Sequence, residues 1–308
     1  MRYGKNAIRI VLGSLSLLSC LPLMAAPLVT VQQGGVGRWS GLPAKECGIY
    51  GKRYDAIDGV CYYPVDIQAG AGVYDIAVWD KDGKRHDGNL RVEKASFPDV
   101  SMTLPDSLDR FLHPSPAEQQ RAAKEHAEVM KLFVTPLTSA QFKLPLASPA
   151  SPLPKSEDDF GSLRRFDEKT TSLHSGRDFP IPGGRNLRSV ADGKVVLVED
   201  QFYSGTSVYV DHGGGLVSML FHMQKASVKS GDTVKRGQVL GIVGATGRAT
   251  GPHLHLGLRW LNKRIDPLVL LNAPKLLPDV VDSAAKAQDK IEHAENREPP
   301  EKDQPADE

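Results

Sequence analysis

Two histidines at i and i+2 in Thr250-Gly251-Pro252-His253-Leu254-His255, with an earlier His174-x-x-x-Asp178, are the side chains of this 308-residue chain best suited to chemistry. In a strand, alternate residues share a face, so His253 and His255 are expected to project into one site. Imidazole nitrogens and carboxylate oxygens are zinc donors, and a catalytic zinc keeps three protein ligands and one open position for water. The donor set is that of a zinc hydrolase. An isolated H-x-H is more often a surface or hydrogen-bonded core pair, and H-x3-D alone says less. Between the two lies a third element, Leu220-Phe221-His222 at the end of an apolar run. A glycine rhythm follows it, from Val228 through Gly231, Val234 and Gly237 to Gly241, and leads to Gly244-Ala-Thr-Gly247.

These residues, in this order, resemble the LytM/lysostaphin-type zinc endopeptidases that cut the peptide part of bacterial cell walls. The resemblance spans residues 160–271. It rests on His174-x-Gly176-x-Asp178-Phe179-x-x-Pro182-x-Gly184, Ala191-Asp192-Gly193-Lys-Val195, His212-Gly213, His222, the two-glycine hairpin, and Thr246-Gly247-x-x-Thr250-Gly251-Pro252-His253-Leu254-His255. It implies that His174, Asp178 and His255 ligate one zinc per chain and that His222 and His253 form a catalytic pair lining the cleft. Zinc lowers the pKa of its water to about 7 and acts as a Lewis acid on the scissile carbonyl. An imidazole with an ordinary pKa of about 6.5 can take the water proton and return it to the leaving amine. A second imidazole can orient the water or donate to the developing oxyanion. The sequence does not choose which of His222 and His253 is the base. His212, before Gly213-Gly214-Gly215 at a hairpin, reads as structural. Some relatives have lost zinc ligands and act as adaptors that activate other wall hydrolases, but here all five positions are intact. The segment Phe166–Thr171 departs from the family pattern in being more charged, which bears on loop shape and substrate fit.

The elements that must position these residues read as mainly β. Val195–Val198, Ser207–Asp211 and Leu216–Phe221 are rich in β-branched and aromatic residues and end in Gly, Asn or Asp. Glycines recur between them, where tight turns need positive φ. The expectation is an antiparallel β catalytic domain with an open groove, and the resemblance implies the same. The V-x-x-G-x-x-V-x-x-G hairpin also suits lipoyl and biotinyl carriers, but those need a lysine at the tip, and Gly244-Ala-Thr-Gly247-Arg-Ala-Thr has none.

Ahead of that domain, Val29–Val31, Tyr62–Ile67, Gly72–Trp79 and Asn89–Val92 alternate apolar and polar residues, and Asp80-Lys-Asp-Gly83 is a good hairpin turn. A small antiparallel β-sandwich over 27–99 follows. Through Pro64-Val-Asp-Ile67 and Gly72-Val-Tyr-Asp-Ile76 it resembles, more loosely, the immunoglobulin-like module preceding the catalytic domain in some Gram-negative members. Residues 100–159 read as a linker. Ser115-Pro116-Ala117-Glu118, with a serine cap, proline at N1 and a capping-box glutamate, opens one linking helix over 116–134, thinly apolar at Ala122, Val129, Leu132 and Phe133. It is either an arm across the two domains or a spacer. Pro145–Pro154 reads as a stiff, extended linker. Beyond 271 the chain is acidic and proline-containing, and 272–308 reads as a disordered tail.

Residues 1–25 have Arg2, Lys5 and Arg9 ahead of an apolar run from Ile10 to Met24, then Ala25-Ala26-Pro27: a secretory signal peptide, with cleavage after Ala25 preferred. Two alternatives stay open, an uncleaved membrane anchor and lipidation at Cys20 after Leu17-Leu18-Ser19. Export leaves Cys47 and Cys61 as an even pair in an oxidising compartment, and a bridge between them is expected, worth about 3 kcal/mol on the chain-entropy model. The formal charge of +1 becomes −2 once the three signal cations leave, and no basic stripe interleaved with aromatics supports nucleic-acid binding. The expected location is the periplasm of a Gram-negative envelope, and the expected partners are peptidoglycan stem peptides. That wall lacks glycine bridges, so the expected reaction is D,D-endopeptidase cleavage of the D-alanine–meso-diaminopimelate cross-link by attack of zinc-bound water. A glycine-rich bridge is the alternative substrate and a non-catalytic adaptor the alternative role.

Overall fold

The computed structural model describes residues 26–134, 137–156, 159–166 and 170–281. The expected signal peptide over 1–25 and most of the expected tail, 282–308, lie outside the described residues.

The chain is mainly β. Its larger sheet runs Gly176–Phe179, Leu254–Trp260, Leu216–Ala226, Gly205–Asp211, Gly193–Gln201 and Thr233–Val234, in that spatial order. Val239–Val243 branches off, pairing with Asn186–Arg188 and Leu216–Ala226, and Lys263–Ile265 pairs with Leu254–Trp260. Every pairing is antiparallel. Val208, Val210, Leu216, Leu220, Leu254, Leu256 and Leu258 are buried in these strands, which explains why their sequences read as near-continuous apolar runs.

The front module has a five-stranded sheet, in the order Leu28–Gln32, Arg85–Glu93, Gly72–Asp80, Ala44–Ile49 and Lys52–Asp55, and a two-stranded one, Val36–Trp39 with Cys61–Pro64. Val29, Val31, Leu90 and Val92 of the first sheet and Trp39 and Tyr63 of the second share one core. Cys47 and Cys61 form a disulfide between the two sheets, with Cα atoms 5.4 Å apart. One pairing corrects the antiparallel expectation: Leu28–Gln32 lies parallel to Arg85–Glu93, Val29 opposite Leu90 and Val31 opposite Val92. Its partner is far away in sequence, so no hairpin sets its direction.

The two modules are joined by a continuous core and by polar contacts. Trp260 of the larger sheet packs 5.8 Å from Tyr62 and 5.5 Å from Phe142. Arg264 Nη2 donates to Asp66 Oδ1 at 2.6 Å, and the Ile67 amide to the Arg264 carbonyl at 3.1 Å. Residues 272–281 depart from the tail expectation. They return to the front module, where the Val281 amide donates to the Leu28 carbonyl at 2.9 Å and Arg38 pairs with Asp279 at 2.9 Å. The Pro145–Pro154 stretch is likewise bound down. Leu146 and Ala150 are buried, and the amides of Leu146 and Ala147 donate to the carbonyls of Leu270 and Val190, each at 2.8 Å.

The linking helix runs Pro116–Leu132 and starts in a capping box between Ser115 and Glu118. Its attachment is only partly apolar. Val129, Met130, Leu132 and the capping Phe133 meet Tyr209, Val217 and Met219. The buried helix residue is Glu125, which accepts from Arg121 Nε at 2.6 Å and from the Phe202 amide at 2.8 Å. Among the described residues, no helix is long and apolar enough to cross a membrane.

A third, small sheet completes the surroundings of the site: Asp99–Ser101 parallel to Leu163–Arg165, which is antiparallel to Thr171–Leu173. The chain between Ser101 and Leu112 then crosses to the far side, where Phe111 packs 5.1 Å from Phe202.

Candidate metal centre and cleft

His174, Asp178 and His255 come together where Gly176–Phe179 pairs with Leu254–Trp260, with Asp178 directly opposite His255. A Cβ on Gly176 would run into the His255 ring and the Leu256 carbonyl, so the glycine of His174-x-Gly176-x-Asp178 is there for close approach. On the other flank Phe221, opposite His255, stacks on its ring with centroids 5.1 Å apart. The donor atoms form a tight triangle. His174 Nε2 is 3.2 Å from Asp178 Oδ1 and 3.0 Å from His255 Nδ1, and His255 Nδ1 is 2.9 Å from Asp178 Oδ1. Donors bonded at 2.0–2.1 Å to a tetrahedral zinc stand about 3.3 Å apart, so three corners of such a site are nearly in place. Two imidazole nitrogens and a carboxylate oxygen are the right donors for it.

The orientation of these donors is held from outside. His174 Nδ1 lies 3.1 Å from the Asp159 carbonyl and 3.0 Å from its carboxylate, an arrangement that fixes which nitrogen faces the triangle. Asp178 Oδ2 accepts from Arg164 Nη2 at 2.7 Å, and Arg164 also reaches Asp159 at 2.7 Å. Burial works against charge on His174, yet the Asp159 and Asp178 hydrogen bonds raise its pKa to about 9. Burial also opposes ionisation of Asp178, but hydrogen bonds with His174 and His255 hold it well below the usual carboxylate range. Burial lowers the pKa of His255.

His222 and His253 face each other beside this triangle, ring centroids 4.8 Å apart. His222 sits where Leu216–Ala226 bulges: Leu220 pairs with Val208 but Met223 pairs with Thr206, leaving two residues opposite one. The bulge gives His222 a left-handed backbone, φ 59°, and turns its ring toward the cleft. Its Nδ1 donates to the Thr246 carbonyl at 2.8 Å, and His253 Nδ1 to the Gly251 carbonyl at 2.9 Å. In the neutral ring each leaves Nε2 as the acceptor, and that of His253 is 3.6 Å from Asp178 Oδ1. Burial, with His253 and His255 close by, pushes the His222 pKa down to about 3. His212 is elsewhere: it is buried, its ring nitrogens 2.8 Å from the Asp192 carbonyl and 2.8 Å from Ser218 Oγ.

The site opens into a cleft of about 270 Å³ lined by Asp178, His222 and His253, by Arg164, Phe166 and Arg248, and by Met102 and Leu104 of the crossing segment. Sequence reasoning missed Asp159, Arg164 and the two linker residues. No short motif carries them, since the small sheet brings Asp99–Ser101 to the site from more than sixty positions away. Arg248 lay in an unspecified position of a motif already in view.

Residues 172–267 match the family model described as Peptidase family M23. The peptidoglycan DD-endopeptidase ShyB of Vibrio cholerae serotype O1 is 40% identical over 95 residues, which are 31% of this chain and 22% of that protein. The DD-carboxypeptidase/endopeptidase Mpg of Neisseria gonorrhoeae is 36% identical over 122 residues, 39% of this chain and 28% of that one. The matched stretch thus spans roughly a quarter of the length of these curated relatives. A crystal structure from Pseudomonas aeruginosa assigned to peptidase M23 superposes with a TM-score of 0.61 at 29% identity, covering 78% of this chain and 94% of that one.

Proposed function

Residues 172–267 are a domain of peptidase family M23, and from that premise we propose that the chain is a zinc-dependent endopeptidase of bacterial peptidoglycan, acting on the D-alanine–meso-diaminopimelate cross-link. The observation that carries this reading is the convergence of His174 Nε2, Asp178 Oδ1 and His255 Nδ1 within 3.2 Å of one another, with two further imidazoles aimed into the same cleft. Zinc held there would polarise the scissile carbonyl and make water a nucleophile near neutral pH.

The chain's own residues supply the rest. His222 and His253 each donate from Nδ1 to a backbone carbonyl, so in the neutral ring Nε2 is the nitrogen left to accept a proton. A low affinity for protons keeps His222 neutral, which suits it to accept a hydrogen bond and orient the nucleophile. His253, close to Asp178, is placed to take the proton and return it to the leaving amine. Asp159 and Arg164 keep His174 and Asp178 in register with the third ligand. Met102, Leu104 and Phe166 supply apolar lining to the cleft beside these groups.

The cross-link assignment is supported by the relatives named as peptidoglycan DD-endopeptidases and by the export signal read at 1–25, which also supports a periplasmic location. Incubating the protein and zinc with diaminopimelate-type sacculi tests it, with the muropeptides identified by mass. Cross-linked dimers should fall to monomers. Unchanged dimers, alongside cleavage of a pentaglycine peptide, would replace this substrate with a glycine bridge. No cleavage of either would favour the adaptor role.

A further inference from the structure

One cation of the cleft has no carboxylate partner among the described residues. Arg164, on the same wall, is neutralised twice, by Asp159 and by Asp178. Arg248 is different. Among the described residues its guanidinium makes one hydrogen bond, donating from Nη2 to Ser172 Oγ at 3.1 Å, and it lies over two rings, 4.8 Å from the centroid of Phe166 and 5.2 Å from that of Tyr203. Among the described residues no carboxylate pairs with it. Burial pulls its pKa below the ordinary value and Arg164 adds to that, yet a guanidinium stays protonated at any physiological pH. A desolvated charge without a partner is costly and is ordinarily matched by an anion. Stacking between aromatic faces fixes the plane of the guanidinium and leaves its remaining N–H groups as a preset fork. Arg248 lines the cleft together with Asp178, His222 and His253, so an anion it met there would lie next to the reacting atoms.

We propose that Arg248 is the residue that selects the substrate, by binding the free carboxylate on the carbon that bears the leaving amine. The proposal rests on the endopeptidase reading above and names what that reading leaves open. In a D-alanine–diaminopimelate cross-link, the amine released from the D-alanyl carbonyl sits on a carbon that also carries an unamidated carboxyl group. A glycine bridge has no carboxylate beside its scissile amides. A planar fork that donates bidentately to a carboxylate therefore distinguishes the direct cross-link from a bridge. It also distinguishes a free wall peptide from one amidated at that position.

The test uses the zinc-loaded full chain as wild type, Arg248→Gln and Arg248→Lys. Two cross-linked dimers are compared, one with this carboxyl free and one with it amidated. Alongside, the uncleavable tripeptide L-alanyl-γ-D-glutamyl-diaminopimelate, free or amidated at the same carboxyl, is titrated by calorimetry. Wild type should bind the free tripeptide about tenfold to a hundredfold more tightly than the amide, the range expected for losing a charge-assisted hydrogen bond. The same preference should appear in kcat/KM on the dimers, mostly through KM. Arg248→Gln should lose the preference, its free-to-amidated ratios of Kd and of kcat/KM falling to parity whatever its overall activity. Arg248→Lys should keep part of it, since an ammonium is a point charge without the fork. A wild-type protein indifferent to amidation, or an Arg248→Gln protein that still prefers the free acid, overturns the assignment, and the first of these needs no variant to fold. If the tripeptide preference is present and depends on Arg248 while neither dimer is cleaved, the carboxylate site stands and the cross-link reading falls. If the dimers are cleaved without preference, the reverse holds.

Discussion

His212 and His222 lie on neighbouring stretches of the same sheet, both buried, and both pushed by burial to a low proton affinity, with pKa values of about 4 and about 3. Only one of them faces a cleft. At the hairpin end, His212 spends both nitrogens, on the Asp192 carbonyl and on Ser218 Oγ. At the bulge, His222 spends one on the Thr246 carbonyl, and its ring lines the opening beside His253. What separates a site residue from a structural one here is therefore the unspent nitrogen and the backbone that aims it, since burial and altered basicity are common to both. The strained φ of 59° at His222 belongs to this difference, as a cost accepted where a side chain must be re-aimed.

The largest effects are expected among the histidines of the site. His255→Ala removes a donor from the triangle and should abolish metal retention and, with it, all measurable turnover. His253→Ala should keep the metal and lose about 10²- to 10⁴-fold in turnover, the usual worth of a general acid or base. Zinc content by atomic emission decides between them, and a His253→Ala protein that lost zinc while His255→Ala kept it would reverse the roles.

The second experiment sets the two buried histidines against each other. His222→Gln should retain metal and melting temperature within a few degrees while turnover falls about 10²-fold or more. His212→Ala should do the opposite. It leaves the Asp192 carbonyl and Ser218 Oγ without partners in the interior, at about 1–3 kcal/mol each, with near-normal turnover per folded molecule. Equal losses of activity in both variants would erase the distinction.

The third is a pH measurement. The folded pKa of His212 is about 4 against about 6.5 in the unfolded chain, so the unfolded chain binds more protons between these values. Stability therefore rises with pH across that window, is complete above about 6.5, and falls by on the order of 3 kcal/mol toward pH 4 from this group. The urea midpoint of a His212→Asn protein should fall less steeply between pH 6.5 and 4 than that of wild type. Parallel curves would mean that His212 does not titrate as its burial implies.

The smallest expected effect is away from the site. Glu125→Gln keeps the shape of the helix anchor but weakens its bonds to Arg121 and the Phe202 amide, at about 1 kcal/mol. Amide exchange over 116–132 should quicken while metal retention stays unchanged. A loss of metal would tie the helix to the site.

Much of this was legible in the linear chain, and for a definite reason. The site residues His174, Asp178, His222, His253 and His255 stand in short segments whose spacing is set by one strand or one turn, and local geometry is what spacing encodes. The capping box of the helix and the Cys47–Cys61 pair are of the same kind, the first closed within four residues and the second separated by only 14. The family resemblance supplied the roles proposed for them, which spacing alone would have left ambiguous. Contacts that close over long separations were not legible. The parallel pairing of Leu28–Gln32, the return of residues 277–281 to the front module and the burial of Leu146 and Ala150 all depend on which distant apolar surfaces remain to be covered once the sheets have formed. The same holds inside the site, where Met102 and Leu104 line the cleft, and Arg248 has no carboxylate partner among the described residues, only because a small sheet, a bulge and a crossing segment meet there. Residue types and short spacings determined which atoms could do chemistry; tertiary packing decided which of them kept a free lone pair or an unanswered charge, because that depends on every neighbour the fold brings within about 3 Å.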